Sequence, residues 1–553
     1  MKRFIGLVLI LSSTLLCPAQ MQMPAQPGSS DSRPVPLVPG LGNSHHSIRT
    51  SSAEAQQYFD QGMDYLFAFN HDEARRSFAK AAELDPHAAM PHWGVALAVG
   101  PNYNDIDIGH TREQAAFVAI TKAKQLAARG PAIERDYIDA LGTRYAEDTK
   151  HDLHVQGERY AKAMAALVAS HPDDLDAATL YAESLMDLHP WQLWTSDGKP
   201  AEGTETIVST LQSVLLRDPS HVGANHFLIH AVEASPDPSL ALVCAERLKT
   251  LAPAAGHLVH MPAHIYQRVG DFTDAAAANR HAITADQAYF NAQNLHSAGE
   301  MYYDMYYVHN IHFLASSCSM EGDAECTAKA AQQLVDYVTP AFAKDKVVEW
   351  FMPTQPWMLV RFDRWDEILK SPAPPKEMFI LNAFWHYARG AAYVALKQPQ
   401  QAVVERSALA KAIQNLPADI PPDFNNPAKA ALELALTVLD ARMAEARGDR
   451  IPAIVLWKKA VASLDNFAYN EPADWYYPVR ESLGGALLRD GQAVEAEAVF
   501  RRDLQLNPCS GRSLFGLWQS LLIEKRPDDA AFVKAQFDAA WSHATITLRI
   551  DDL

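Results

Sequence analysis

The sequence predicts an all-α fold, a solenoid of stacked helical hairpins. Three observations carry this. His226 and His230 are followed, each 34 residues later, by His260 and His264, and thirty-four residues make one helix-turn-helix repeat unit. From Ala53 onward small and apolar residues recur at three- and four-residue spacing, and Asp-Pro or Asn-Pro ends many segments. No stretch alternates polar and apolar residues as a half-buried strand does.

Taken in order, the chain opens as a secretory signal over residues 1–19. Lys2 and Arg3 supply the positive start, Phe4 to Leu16 the apolar core, and Cys17-Pro18-Ala19 the small residues of a cleavage site. The apolar run is too short to span a bilayer, and no later segment reaches that length without charges. Export to the periplasm or the outside is therefore expected. A lipid anchor on Cys17 is the alternative, set against by the bulk of Leu16. Residues 20–52, rich in Pro, Ser and Gly, read as a flexible linker. His45-His46 falls there, as a loop pair or as a lid over a groove. An N-terminal array is expected over 53–345 and a C-terminal array over 346–553. The Pro-rich stretch from Trp350 to Pro375 breaks the pattern between them.

Within the arrays the hairpin pattern is specific. In Ala55–Ala88, Gly62 and Tyr65 fall where the first helix needs a small and a large contact. Ala74, Phe78 and Ala81 fall on the inner face of the second helix, and Pro86 stops it. The register repeats at Val222–Ala255, Gly256–Tyr289, Leu434–Phe467 and Tyr477–Ser510. Weaker copies fall near 141–174, 175–219, 308–341 and 383–416. On these residues the chain resembles the tetratricopeptide repeat (TPR) superfamily over most of its length after the leader. That resemblance implies a right-handed superhelix whose first helices line a concave groove. Trp93-Gly94, Gly100 to Asn104, His230 to Glu233, His260 to Tyr266 and Trp475 to Arg480 further resemble an uncharacterised group of exported bacterial TPR proteins. That likeness implies fold and export, and no activity.

Composition narrows the function classes. With 48% hydrophobic and 21% charged residues among 553, the chain is that of a folded protein. A formal net charge of −18 argues against nucleic acid and anionic lipid as partners, since both need basic stripes. Past the leader only Cys244, Cys318, Cys326 and Cys509 remain, at spacings that match no zinc motif. Cys318 and Cys326 are close enough in sequence for one local bridge; otherwise the four are buried thiols. No phosphate loop, dinucleotide fingerprint or G-x-S-x-G elbow occurs.

The functional signal is the histidine ladder. The resemblance implies that the second, fifth, ninth, twelfth and thirteenth positions of each repeat face the groove. In the repeat from Val222, His226 is fifth, His230 ninth and Glu233 twelfth. In the repeat from Gly256, His257 is second, His260 fifth, His264 ninth and Arg268 thirteenth. From Val308, His309 is second and His312 fifth. From Leu175, Glu183 is ninth and Asp187 thirteenth. Spacings of three, four and seven share one helical face whatever the family. An insertion of about 18 residues beyond one repeat is expected to loop out between His260 and His312.

Two functions are open to such a set. A concave groove would bind a protein or peptide segment, or a small ligand, through these side chains. Alternatively His226, His230, His260 and His264 would ligate a metal, zinc or copper, since imidazoles at i and i+4 can share one ion. Glu233, Glu183 or Asp187 would then ligate, orient a histidine or act as a base. A response to pH, by charging of the clustered imidazoles, is a third functional option, and hydrogen bonding among the histidines and backbone alone is the bland reading. A metal site requires the nitrogens to converge on a point, whereas a groove spreads them along the ladder.

Overall fold

The computed structural model describes residues 33–147, 152–295, 301–343, 345–420 and 425–553. The expected leader, 1–19, and the linker up to residue 32 lie outside them. The chain forms an all-α array of antiparallel helical hairpins, from Ala53–Phe67 with His71–Leu84 to Gly511–Ile523 with Pro527–Ala540. Among the described residues there are no strands, only two isolated bridges, Asn102 with Asp105 and Trp194 with Pro200. No helix among them is long and apolar enough to cross a membrane.

Hairpin packing follows the small-and-large rule of the sequence. Phe78 is fully buried between Gly62 and Gly94, and a Cβ on either glycine would lie 2.5 Å from its ring. Phe500 sits in the same way between Gly484 and Gly516. Each glycine belongs to the first helix of its own or the following hairpin, so one aromatic ring locks two repeats together. Helix starts are capped locally: Asp174 accepts from the Ala177 N–H at 3.0 Å, and Asp323 from the Cys326 N–H at 3.0 Å. Helices stop at Gly270 and Gly322, both in the left-handed region at φ 84°.

The superhelix is wound tightly enough that distant repeats touch. Tyr289 donates to Glu73 at 2.9 Å, and the Asn104 amide donates to Tyr306 at 2.7 Å. The rear array folds back on the front one, with the Thr545 N–H donating to the Gly322 carbonyl at 3.0 Å. Gly270 abuts the Pro508 carbonyl and Gly322 the Trp541 ring, approaches a Cβ would prevent.

Two local expectations are revised and one open pairing is decided. The described part of the linker, 33–52, is a strap along the front array. The Val35 carbonyl accepts from Tyr58 at 2.8 Å, and the Gly40 carbonyl from the Ala254 N–H at 2.9 Å. Its backbone groups, with no ladder of their own, find partners on the helices it crosses. Second, the described residues inserted before His309 are largely helical. They lengthen the second helix to 22 residues, Phe272–Gln293, and add a π turn at Tyr302–Tyr306 leading into helix Tyr307–Glu321. Third, Cys318 and Cys326 are disulfide-bonded, while Cys244 is a buried free thiol and Cys509 an exposed one.

Candidate metal centre

Four inner helices converge on the histidines. Val222–Val232 carries His226 and His230, and Gly256–His260 carries His257 and His260. Pro262–Val269 carries His264, and Tyr307–Glu321 carries His309. Pro262 lacks an N–H, so the helix breaks at Met261 between its two histidines. His226 and His260 are 0% exposed, His264 1%, and His230 and His257 2%.

The rings gather into two trios. In the first, the Nε2 atoms of His226 and His257 face each other at 3.1 Å, with His230 completing the set. In the second, His264 Nε2 lies 2.8 Å from His260 Nε2 and 3.4 Å from His309 Nε2. Within each trio the three candidate ligand nitrogens lie within 4.8 Å of one another. Three imidazoles on one ion at about 2.0–2.1 Å would bring their nitrogens roughly 3.3 Å apart. Both trios are therefore near ligand geometry as they stand.

Three of the opposite ring nitrogens are held as metal ligands hold theirs. His226 donates from Nδ1 to the Phe67 carbonyl at 2.6 Å, and His260 from Nδ1 to Asn279 Oδ1 at 2.6 Å. His230 meets Glu233 Oε1 through Nδ1 at 3.1 Å. Each contact leaves Nε2 to face its trio. His230 Nε2 and His257 Nδ1 are buried with no hydrogen-bond partner among the described residues, which in a native interior asks for a missing partner.

Carboxylates tie the trios together. Glu233 reaches His230 with Oε1 and lies 2.7 Å from His264 Nδ1 with Oε2. Asp286 accepts from Tyr302 at 2.9 Å, and Tyr302 in turn accepts from the His257 N–H at 2.9 Å. The other Asp286 oxygen accepts from Asn310 at 2.7 Å, beside His309. Glu471, from the rear array, closes on His264 Nδ1.

Electrostatics divides the rings. Burial pushes His226, His257, His260 and His309 well below the usual histidine range, so their lone pairs are available. Burial acts on His264 too, but the charges of Glu471 and Glu233 outweigh it and lift the ring to about 10. Burial opposes ionisation of Glu233, yet His230 and His264 draw it down to about 2. Burial raises Glu471 to about 7.

Apolar rings enclose each trio. Phe69 stacks on His230 at 5.5 Å and His257 at 5.6 Å and meets His226 edge-on at 4.5 Å. Phe313 packs against His260, His264 and His309 at 5.1, 4.9 and 5.3 Å. Phe69 has φ 56°, and Trp191, whose ring meets His230 at 6.1 Å, has φ 61°. Bulky residues in the left-handed region mark places where the surroundings dictate the backbone.

Other residues of the predicted groove lie outside the trios. His312 turns to Phe351, at 5.6 Å. Arg268 donates to the Glu233 carbonyl at 2.8 Å and the Ser235 carbonyl at 3.1 Å, fastening the end of the His230 helix. Glu183 and Asp187 form a separate buried group, where Arg144 donates to Asp187 at 2.7 Å. A further ligand-rich cluster, His46 with Asp174 and Asp176, lines a cleft of about 390 Å³. Its carboxylates are engaged: Asp176 with His46 and His221, Asp174 with Tyr137.

No protein-family model matches the chain, and no curated protein is similar to it. Among solved structures, similar chains include the human IFIT1 dimer with m7Gppp-AAAA, at 12% identity and a TM-score of 0.34, covering 89% of this chain and 91% of that one. Yeast Tom70 is similar at 12% identity and a TM-score of 0.28, covering 88% and 92%. The P58(IPK) TPR domain is similar at 14% identity and a TM-score of 0.20, covering 90% and 96%.

Proposed function

We propose that this helical-repeat protein is a metal protein, holding a transition ion, zinc or copper, in each of its three-histidine sites. The observation that supports this reading most is the convergence of ring nitrogens in both trios, with the far nitrogens of His226, His230 and His260 engaged by a carbonyl, a carboxylate and an amide. A histidine network built only for stability would satisfy its buried nitrogens internally, whereas His230 Nε2, on the side of its trio, is left over. A peptide lying along the inner helices would need side chains that face solvent, and the five buried histidines offer at most 2% of their surface.

Three protein nitrogens leave an ion one position open, the arrangement in which metals activate water or bind a substrate. Such an ion would polarise a bound oxygen while Glu233 keeps His230 and His264 oriented. The test is metal content. Full-length protein is loaded with zinc or copper, dialysed, and compared with a His260→Ala/His264→Ala double variant and a His312→Ala control. Retention near stoichiometry in the wild type and the control, with the double variant markedly depleted, is the expected result. Equal retention in all three, or none in a folded wild type, would refute the assignment.

A further inference from the structure

The two trios are copies of one site, displaced by one repeat. The first takes the fifth and ninth positions of one repeat, His226 and His230, and the second position of the next, His257. The second trio takes the fifth and ninth positions of that next repeat, His260 and His264, and the second position of the one after, His309. Each also has its own phenylalanine wedge, Phe69 and Phe313.

The copies adjoin. Ring centroids of His230 and His264 are 5.7 Å apart, and those of His257 and His260 6.0 Å. These separations resemble those within a trio, where His226 and His230 lie 4.8 Å apart. Glu233 spans the junction, one oxygen on each trio, while Asp286 accepts from Tyr302, which holds the His257 backbone N–H, and from Asn310, next to His309 in the chain.

We propose that the trios form one dinuclear copper centre, whose ions share a small oxygen ligand derived from water. This rests on the reading of the trios as metal sites. Both ligand sets are all imidazole, without thiolate or carboxylate, and on nitrogen ligands copper(II) outcompetes the other divalent first-row ions. The Cys318–Cys326 disulfide fits an oxidising compartment. Ligating imidazoles are neutral and bring no charge, so two dications this close, in a buried site, repel. Glu233 and Glu471 offset part of that charge, and hydroxide between the ions offsets more. Its formation releases one proton from a bound water and changes no oxidation state.

The experiment uses the full-length protein, cleared of metal and titrated with copper(II) sulfate. Copper per chain is read by elemental analysis and unpaired spin by double integration of the electron paramagnetic resonance signal. Two retained coppers per chain, with integrated spin less than half of the copper present, are expected. His257→Gln and His309→Gln should each retain one copper at full spin. His309 is the more exposed ligand, so its variant carries the test if His257→Gln does not fold. Two coppers at full spin, or one per chain in the wild type, would overturn the pairing and leave the metal reading standing. No retained copper or zinc would overturn both.

Discussion

Asn279 shows how much the arrangement of the histidine trios depends on residues outside them. Its Oδ1 accepts from His260 Nδ1, while its own amide donates to the Ala275 carbonyl at 2.8 Å. The second bond sets which amide atom faces the ring, and so which ring nitrogen faces the trio. Asn279→Ala should weaken copper binding roughly 10–100-fold, measured by chelator competition, with Asn279→Asp largely restoring it. Unchanged affinity in the alanine variant would show that Asn279 only fills space. The clustering of His226, His230, His260 and His264 was legible in the sequence because the repeat prints them at a fixed interval, whereas the insertion displaces His309 from that period. Asn279 was not, since it is one polar residue on an alanine-rich helix. Phe69 was equally hidden, because its contact follows from a left-handed backbone that no residue type announces.

At the scale of the element, the register read from glycines and aromatics placed the hairpins well, because packing two helices around a ring demands small residues at set distances. Gly516→Ala would drive a methyl to 2.2 Å from the Phe500 ring, which Gly484 already confines from the other side. The expected cost is about 1–3 kcal/mol, read as a lower urea midpoint with an unchanged slope. A neutral substitution would mean that the ring can withdraw. The length of helix Phe272–Gln293 is not legible from the repeat period, which fixes spacing between equivalent positions and not where extra residues go. A longer helix carries extra residues at less backbone cost than a loop, and the π turn beyond it brings Tyr302 and Tyr306 to His257.

Over the whole molecule, the soft boundary near residue 346 does not separate the functions of the two arrays. Glu471 belongs to the rear array and closes on His264, and Arg268 lies under the Tyr469 ring at 5.6 Å. No local pattern could reveal this, because the contact depends on how far the superhelix turns over many repeats. Buried acids give the scaffold a pH dependence of known sign. Burial, then the charge of Glu481, lifts Asp503 to about 7, while its oxygens accept from Ser513 at 2.6 Å and Asn507 at 3.0 Å. A raised acid binds its proton more tightly when folded. Its contribution is present below about pH 4 and is lost as pH rises through about 7. Asp503→Asn should therefore gain on the wild type between pH 5 and pH 8, on the order of 2–3 kcal/mol, in urea unfolding at the two values. A constant difference between the two proteins at both values would contradict the assignment.

The most direct measurement is anomalous diffraction at the copper edge from copper-loaded crystals of the full-length protein. Two peaks are expected, one at each trio, each about 2.0–2.1 Å from three histidine nitrogens. Empty trios beside a single peak at His46, Asp174 and Asp176, or peaks only at the surface, would contradict it.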